Sequence, residues 1–504
     1  MTRPALIRRG LAALLAGAVF PLALAPIDWW PCAIISMALL SWLLRDAPLR
    51  VGLCLFYLYG VGFYGVGVSW VFVSIHEHGG ASTLLAALLV TLFVLALALF
   101  FLLQGYVYLR WCRSLPFGLS LGFATAWVAR EWLLTWFLTG FPWLFAGYGF
   151  LESPMAGYGP VLGVLGITFL VAWQATLLAG LVSERVGSSR LSVGRDKGIA
   201  MAGVFAMWLG GWALQQQSFV APGPNTLRVS AVQGNIDQHS KWSRAMVGPI
   251  IKTYTDLSES EWRRDLVVWP EASVTVFREY ADEFLDPIAE RARGNGSALL
   301  LGIPDRDEQG RFLNSAIVVG AGEGRYVKRR LVPFGEYVPL ESWLRGVIKV
   351  FDLPMSRNVS GPEDQSPLRV GDYLVSMSIC YEVIYPELVR GSVAAPDLLV
   401  TISNDTWFGA SLGPWQHLQM ARMRALENGR YMVRATNNGV TAVIDEQGRV
   451  TGQLPQFETG VLRADVPVML GTTPYARWGL AGLGILMSAL WLGVVALTLA
   501  RRSR

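Results

Sequence analysis

Tyr373-Leu374-Val375-Ser376-Met377-Ser378-Ile379-Cys380-Tyr381-Glu382 is an apolar run with β-branched residues, and it reads as a buried strand. It ends at a cysteine followed by an aromatic residue and a carboxylate, and Val383-Ile384-Tyr385-Pro386 then opens a predicted helix. A nucleophile gains from that position, because the strand fixes its backbone and the following turn presents its sulfur. Cys32, Cys54 and Cys112 fall in or beside apolar segments and read as small core residues. Cys380 stands alone in the water-soluble part of the chain, and a lone thiol outside the cytoplasm is a candidate reactive one.

Working outward, the composition is uneven. The chain has 504 residues, 53% hydrophobic and 16% charged, against roughly 25% charged in soluble domains. Residues 1–216 and 478–500 are strongly apolar, while 218–475 have ordinary soluble composition. The net charge of +5 is spread without a concentrated basic patch, which argues against nucleic acid as a partner. The expected organisation is a seven-helix transmembrane domain over 1–217, a catalytic domain over 218–475, and a C-terminal transmembrane helix with a basic tail over 476–504.

A spanning helix needs about 20 mostly apolar residues. The segments 10–26, 30–44, 51–74, 84–108, 117–138, 161–183, 199–216 and 478–499 are predicted to meet that requirement, giving about eight transmembrane helices. The first resembles a signal peptide, but further spans follow at once, so it reads as uncleaved. With the N-terminus in the cytoplasm, Arg8, Arg9, Arg45, Arg50, Arg110, Arg113, Arg185 and Arg501 all fall inside, and the outer loops 27–29, 75–83 and 139–160 hold no Lys or Arg. Seven spans then place residues 218–475 outside the cytoplasm. Arg130-Glu131 lies mid-span, where an internal ion pair and a lipid-headgroup contact are both open and a structural role is favoured. His76-Glu77-His78 reads as solvated loop residues rather than a metal site.

After Pro222-Gly223-Pro224 the pattern changes to short strands alternating with helices. Strands are predicted at 227–236, 265–271, 298–303, 314–319 and 398–402, with more between 431 and 450, and helices at 243–262, 281–293 and 415–428. That alternation argues for a layered α/β domain.

Glu271, Lys328 and Cys380 each end or follow an apolar strand. A thiol is a weak nucleophile until a base removes its proton. A carboxylate in a dry site can be that base, and a fixed ammonium can stabilise the oxyanion of acyl transfer. The three side chains make a complete acyl-transfer set without histidine, although spacing alone does not bring them together.

Val232-Gln-Gly-Asn235, Val268-Trp-Pro-Glu271, Tyr326-Val-Lys328, Leu331-Val-Pro-Phe-Gly-Glu-Tyr-Val-Pro339, Ile379-Cys-Tyr-Glu382 and Ser403-Asn-Asp-Thr-Trp-Phe-Gly409 occur in this order. Together they resemble the nitrilase superfamily and, with the spans around them, its apolipoprotein N-acyltransferase family. The resemblance implies an αββα sandwich joined to an α-helical polytopic membrane domain. It implies Glu271 as general base, Lys328 as oxyanion stabiliser and Cys380 as nucleophile. Glu336 would support the lysine, Tyr381 and Glu382 would flank the thiol, and Trp242 would stand near the substrate. The implied reaction moves an acyl chain from the sn-1 ester of a phospholipid, typically phosphatidylethanolamine, onto Cys380 as a thioester. The α-amine of an S-diacylglyceryl-cysteine on an apolipoprotein then accepts it. No metal or soluble cofactor is expected, and the implied location is the bacterial inner membrane, multi-pass, with the catalytic domain on the periplasmic side.

Other readings rank lower. Residues 340–354 carry Leu344, Ile348 and Phe351 on one helical face, which suits an interfacial or lid segment meeting lipid and, equally, plain core packing. Gly409-Ala-Ser411-Leu-Gly413 fits a serine-hydrolase pattern that requires a strand directly before it, which is missing here. His417 falls in a predicted helix without an evident orienting partner for a Cys–His pair. A membrane-anchored nitrilase-type amidase is the enzymatic alternative, and a transporter with an extracytoplasmic sensing domain the non-enzymatic one.

Overall fold

Side chains along a strand point alternately to its two faces, and here both faces are apolar. In the computed structural model, Leu227, Val229 and Ala231, Leu266 and Val268, and Ala298 and Leu300 pack into one core with Val375, Met377, Ile379, Val400, Ile402 and Val433. The intervening Val232, Val267, Trp269, Leu299 and Leu301 pack into a second core, with Ile250 and Tyr254 on one helix and Leu285 and Ile288 on another. Strands buried on both faces read as continuous apolar runs, as the 373–379 and 398–402 segments do. The structure describes residues 2–115, 117–182, 190–337, 358–391 and 395–502.

Thirteen strands are described: β1 (Val220–Gln233), β2 (Leu266–Val268), β3 (Ala298–Arg306), β4 (Phe312–Gly320), β5 (Gly322–Glu323), β6 (Arg325–Val327), β7 (Leu368–Val370), β8 (Tyr373–Ile379), β9 (Leu398–Ser403), β10 (Met432–Thr436), β11 (Ala442–Ile444), β12 (Val450–Gln453) and β13 (Gly460–Gly471). They form a six-stranded sheet in the order β13-β1-β2-β3-β4-β6 and a seven-stranded sheet in the order β12-β11-β10-β9-β8-β7-β5. The first core lies between the sheets. The helices Val247–Ser258 and Asp282–Gly294 cover the outer face of the six-stranded sheet, and the helix Gly413–Asn428 packs on the other. This is the αββα sandwich. Its central strands run parallel, β1 with β2 and β3 in one sheet and β8 with β9 and β10 in the other. Their carboxyl ends are where α/β sheets place ligands.

The two outermost paired strands of the six-stranded sheet's first edge, β1 and β13, differ from expectation. β1 starts at Val220, seven residues before the predicted Leu227, because its first half pairs antiparallel with β13. β13 itself, Gly460–Gly471, has burial that alternates poorly with the pleat and carries Arg463 and Asp465.

The chain divides into two compact units, one of Met1–Phe72, Thr83–Ser218 and Arg477–Arg504, the other of Val73–Ser82 and Phe219–Ala476. Among the described residues of the first unit, five helices are long and apolar enough to cross a membrane: Arg3–Ala23, Leu49–Gly67, Thr83–Cys112, Pro154–Val182 and Lys197–Gln215. The predicted spans 30–44 and 478–499 form the shorter apolar helices Pro31–Leu44 and Leu480–Ala496. The predicted span 117–138 does not form one continuous helix. Its α-helical part is Phe123–Leu133, preceded by a π turn at Gly118–Gly122, and Phe117, Leu138 and Thr139 have positive φ, which a right-handed helix does not accommodate.

Helices Arg3–Val19 and Leu49–Gly67 touch backbone to backbone. A Cβ on Gly62 would lie 2.0 Å from the Leu14 carbonyl oxygen, so glycine is required there. Arg130 and Glu131 are buried as an internal polar knot. Arg130 Nε donates to Gln104 Oε1 at 2.9 Å, Nη1 donates to the Tyr64 hydroxyl at 3.1 Å, and the guanidinium sits 4.0 Å from the centre of the Phe101 ring. Glu131 accepts from Trp127 Nε1, Ala146 N and the Thr168 hydroxyl at 2.9, 3.1 and 2.8 Å. Buried charges persist in apolar surroundings only when partnered this fully.

Candidate active site

β8 and β9 are in register, with Ile379 opposite Ile402, so Cys380 and Ser403 stand at the same level at the carboxyl edge of the sheet. Cys380 begins a 3₁₀ turn, Cys380–Ile384, and has φ of +52°. A non-glycine residue in that region costs about 1–3 kcal/mol and persists only where its surroundings impose it. Burial pushes the Cys380 thiol well above its ordinary range, and the charge of Glu271 adds to that. The Lys328 ammonium and a hydrogen bond with the Ser403 side chain pull the other way without overcoming it. The sulfur is therefore protonated at neutral pH and needs a base in order to react.

Glu271 follows β2 through Trp269-Pro270, and Ala272 after it has φ of +48°. The turn presses onto β3: a Cβ on Gly302 would lie 2.6 Å from Ala272 N and 2.7 Å from Glu271 Cα. Only glycine lets the two backbones approach so closely. The Glu271 carboxylate accepts from Asn314 Nδ2 at 2.7 Å and from the Asn404 backbone N–H at 2.9 Å, and it lies 3.4 Å from Lys328 Nζ.

Lys328 follows β6, and its backbone N–H bonds the Asn314 carbonyl at 2.8 Å. Its side chain is 1% exposed, and its ammonium donates to Glu336 Oε1 at 2.9 Å. Burial works to lower this lysine, but the Glu336 and Glu271 carboxylates outweigh burial and hold it above the ordinary lysine range. Glu336 is fixed in turn: its Oε1 accepts from Asn314 Nδ2 at 3.0 Å and its Oε2 from Val332 N at 2.8 Å. Asn314 thus bridges two carboxylates around one cation.

Glu382 is buried and ties the Cys380 turn to the Lys328 arm. Its two oxygens accept from Ile379 N at 2.8 Å, Arg329 N at 2.6 Å, Arg330 N at 3.1 Å and the Tyr326 hydroxyl at 3.0 Å. Burial raises this carboxyl, while the Ile379 N–H, the Lys328 charge and the N–H groups of Arg329 and Arg330 oppose the rise. Tyr381 is buried edge-on against Tyr385, with ring centres 5.5 Å apart. Trp242 is 41% exposed and caps the short helix Gln238–Lys241. Lys241, at its end, is fully buried, with Nζ 3.3 Å from the Glu271 carbonyl oxygen, and burial lowers it to about 8.

Of the predicted site residues, the structure brings Glu271, Lys328 and Glu336 into direct contact, sets Cys380 within their field, and joins Glu382 to the same assembly. Asn314, Asn404, Tyr326 and Lys241 were not singled out from the sequence. Two of them, Asn404 and Tyr326, lie inside quoted motifs, so that signal was present. Residues 340–354 lie outside the described residues. Ser411 is no free hydroxyl: it donates to the Phe408 carbonyl at 2.6 Å and accepts from Gly413 N at 3.2 Å at the start of a helix, behind a 3₁₀ turn rather than a strand.

Two further readings are corrected. His417 does have an orienting partner, Asp405, 3.1 Å from its Nδ1, and its Nε2 faces the Cys380 backbone rather than the sulfur. His76-Glu77-His78 is not a solvated loop. It belongs to a segment that packs with the sandwich: Ser74 Oγ donates to the Trp407 carbonyl at 2.7 Å, and His78 stacks on His239 and lies edge-on to Trp407.

Residues 228–475 match the carbon-nitrogen hydrolase family model, and residues 16–177 match the apolipoprotein N-acyltransferase N-terminal domain model. The chain is 48% identical over 474 residues to an apolipoprotein N-acyltransferase of Pseudomonas syringae pv. tomato, covering 93% of this chain and 92% of the relative. It is 48% identical over 487 residues to one of Azotobacter vinelandii, covering 95% and 93%. Among solved structures, an amidase from Nesterenkonia sp. aligns over 53% of this chain and 98% of its own, at 21% identity and a TM-score of 0.37.

Proposed function

The chain belongs to the apolipoprotein N-acyltransferase family, and we propose from the geometry above that Glu271, Lys328 and Cys380 carry its acyl transfer. The observation that carries this reading is the buried Lys328 ammonium held between Glu336 and Glu271, acting on a protonated thiol at the carboxyl end of β8.

In the first half-reaction Glu271 takes the thiol proton as sulfur attacks the sn-1 ester carbonyl of a phospholipid. Lys328 donates to the developing oxyanion, and loss of one such donor typically costs about 3 kcal/mol. The C–O bond breaks, Glu271 returns the proton to the departing alkoxide, and a lysophospholipid leaves behind a thioester on Cys380. In the second half-reaction the neutral α-amine of an S-diacylglyceryl-cysteine attacks that thioester. Glu271 accepts the amine proton, the C–S bond breaks, and the proton returns to sulfur. A covalent intermediate of this kind gives ping-pong kinetics.

Both substrates keep acyl chains in the bilayer, and exposing them to water costs about 0.8 kcal/mol per CH₂. Apolar helices in the same chain let the thiol meet them without extraction. The Lys and Arg distribution supports a site on the periplasmic face of the inner membrane.

Mass spectrometry of the purified protein with phosphatidylethanolamine tests the reading. A hydroxylamine-labile acyl adduct on Cys380 is expected, lost in Cys380→Ala. Adding a diacylated lipopeptide with a free N-terminal amine should discharge the adduct as amide. Release of free fatty acid instead would assign the site to hydrolysis, and no adduct at all would remove the thioester route.

A further inference from the structure

His417 is fully buried in the helix Gly413–Asn428, and its ring reaches the backbone of the nucleophile. Its Nε2 lies 3.1 Å from the carbonyl oxygen of Cys380. A carbonyl oxygen only accepts, so Nε2 carries the proton. On the other side of the ring, Nδ1 lies 3.1 Å from Arg434 Nη2 and 3.1 Å from Asp405 Oδ1. Nδ1 thus meets a group that only donates and a group that only accepts, and in either protonation state of Nδ1 the proton on Nε2 stays. Burial and the Arg434 charge push His417 below its ordinary range against the pull of Asp405, which favours the neutral ring with its proton on Nε2. Arg434 Nη2 also binds Asp405 Oδ2, and Asp405 Oδ1 accepts the Ser403 hydroxyl at 2.6 Å. The Cys380 carbonyl therefore fixes the proton on Nε2, and the Asp405–Arg434 ion pair fixes the tilt of the imidazole.

The carbonyl that this ring holds belongs to the one residue that must stay in a left-handed conformation for its thiol to face Glu271 and Lys328. We propose that His417 is a positioning residue for the nucleophile: by donating to the Cys380 carbonyl it locks the strained peptide in the reactive orientation. The inference rests on the reading of Cys380 as the acylated residue. It concerns how fast the thioester forms, not how tightly lipid binds. The competing role for His417 is simple filling of the space beside Phe408, whose ring centre is 5.7 Å away.

Two variants of the full-length protein separate these roles. His417→Leu keeps bulk and removes the donor, while His417→Gln places an amide N–H near the position of Nε2. The rate of hydroxylamine-labile adduct formation on Cys380 is measured against phosphatidylethanolamine concentration, alongside thermal melting. His417→Leu should lower the maximal rate by about 10- to 100-fold, the range a small misplacement of a reacting group produces. The half-saturating lipid concentration should stay near wild type, and His417→Gln should recover most of the rate at an unchanged melting temperature.

Wild-type acylation in His417→Leu overturns the proposal, as does an equal loss in both variants or a loss confined to lipid affinity. If His417→Leu does not accumulate as folded protein, the folded His417→Gln variant decides. Near-wild-type acylation there supports the donor role, and a loss beyond 10-fold refutes it. Absence of any adduct on the wild-type protein would instead fault the acyl-transfer reading itself, and this inference would fall with it.

Discussion

Lys328 is held more closely by Glu336 than by Glu271, at 2.9 Å against 3.4 Å. A glutamate that neutralises the lysine leaves the other carboxylate available for proton transfer. Glu336→Gln removes that charge and is expected to draw the ammonium onto Glu271. Breaking one side of a buried ion pair typically costs about 3–5 kcal/mol. Thioester formation should fall by about 100-fold or more, and the melting temperature should drop with it. A Glu336→Gln protein that acylates Cys380 at the wild-type rate would show that Glu336 is dispensable for the base.

The protonated thiol leads to a reactivity test. Iodoacetamide should label Cys380 at pH 7 more slowly than it labels a free cysteine peptide. Lys328 pulls the thiol down, so Lys328→Met should slow labelling further. The Glu271 charge pushes it up, so Glu271→Gln should speed alkylation while abolishing acyl transfer. Opposite movements of these two readouts in Glu271→Gln are the signature of a base that also raises its own substrate's pKa.

Lys241 predicts a pH dependence of stability. Burial depresses it from 10.5 to about 8 in the folded chain. Between those values the unfolded chain binds the extra proton, so its contribution to stability rises with pH across that window. Below pH 8 the folded state carries a penalty of about 3 kcal/mol from this group. Lys241→Met should therefore melt higher at neutral pH and show a flatter rise from pH 8 to 10.5. Lys328 does not interfere, because its raised value keeps its stabilisation intact below the ordinary lysine range and releases it only above. Thermal melts of both proteins across pH 7–10.5 check the sign.

Gly302→Ala would set a methyl group against the backbone of the Glu271 turn. Overpacking of this kind costs about 1–3 kcal/mol. Because the displaced atoms carry the catalytic carboxylate, acylation should fall further than the loss of stability explains. Equal loss in the two measurements would mean that the turn moves without disturbing the carboxylate.

Much of this was legible from local pattern. The segments that form β2 and β8 are apolar runs, and Glu271 and Cys380 stand just past the points where those runs stop. Pairing that spans more than 200 residues was not. β13 pairs with β1 in the same sheet from the far end of the domain's sequence, and nothing near Gly460–Gly471 announces its partner. Hydropathy also misread 117–138, since apolar composition says nothing about the positive φ of Phe117 and Leu138. Asn314 escaped notice because an amide inside a strand looks ordinary until two carboxylates converge on it. His417 was set aside because its partners lie on a turn 12 residues before it and a strand 17 residues after it.

Val73–Ser82 belongs to the sandwich although its sequence neighbours on both sides belong to the helical unit. A protein cut down to 219–476 would lack the hydroxyl that caps the Trp407 carbonyl and the imidazole beside Trp407. That carbonyl adjoins the stretch whose Asn404 N–H steadies Glu271. During synthesis this ten-residue patch emerges long before the strands it joins, so it is already present when Trp407 and His239 arrive to pack against it. Transplanting the enzyme into a soluble format would have to bring that fragment along.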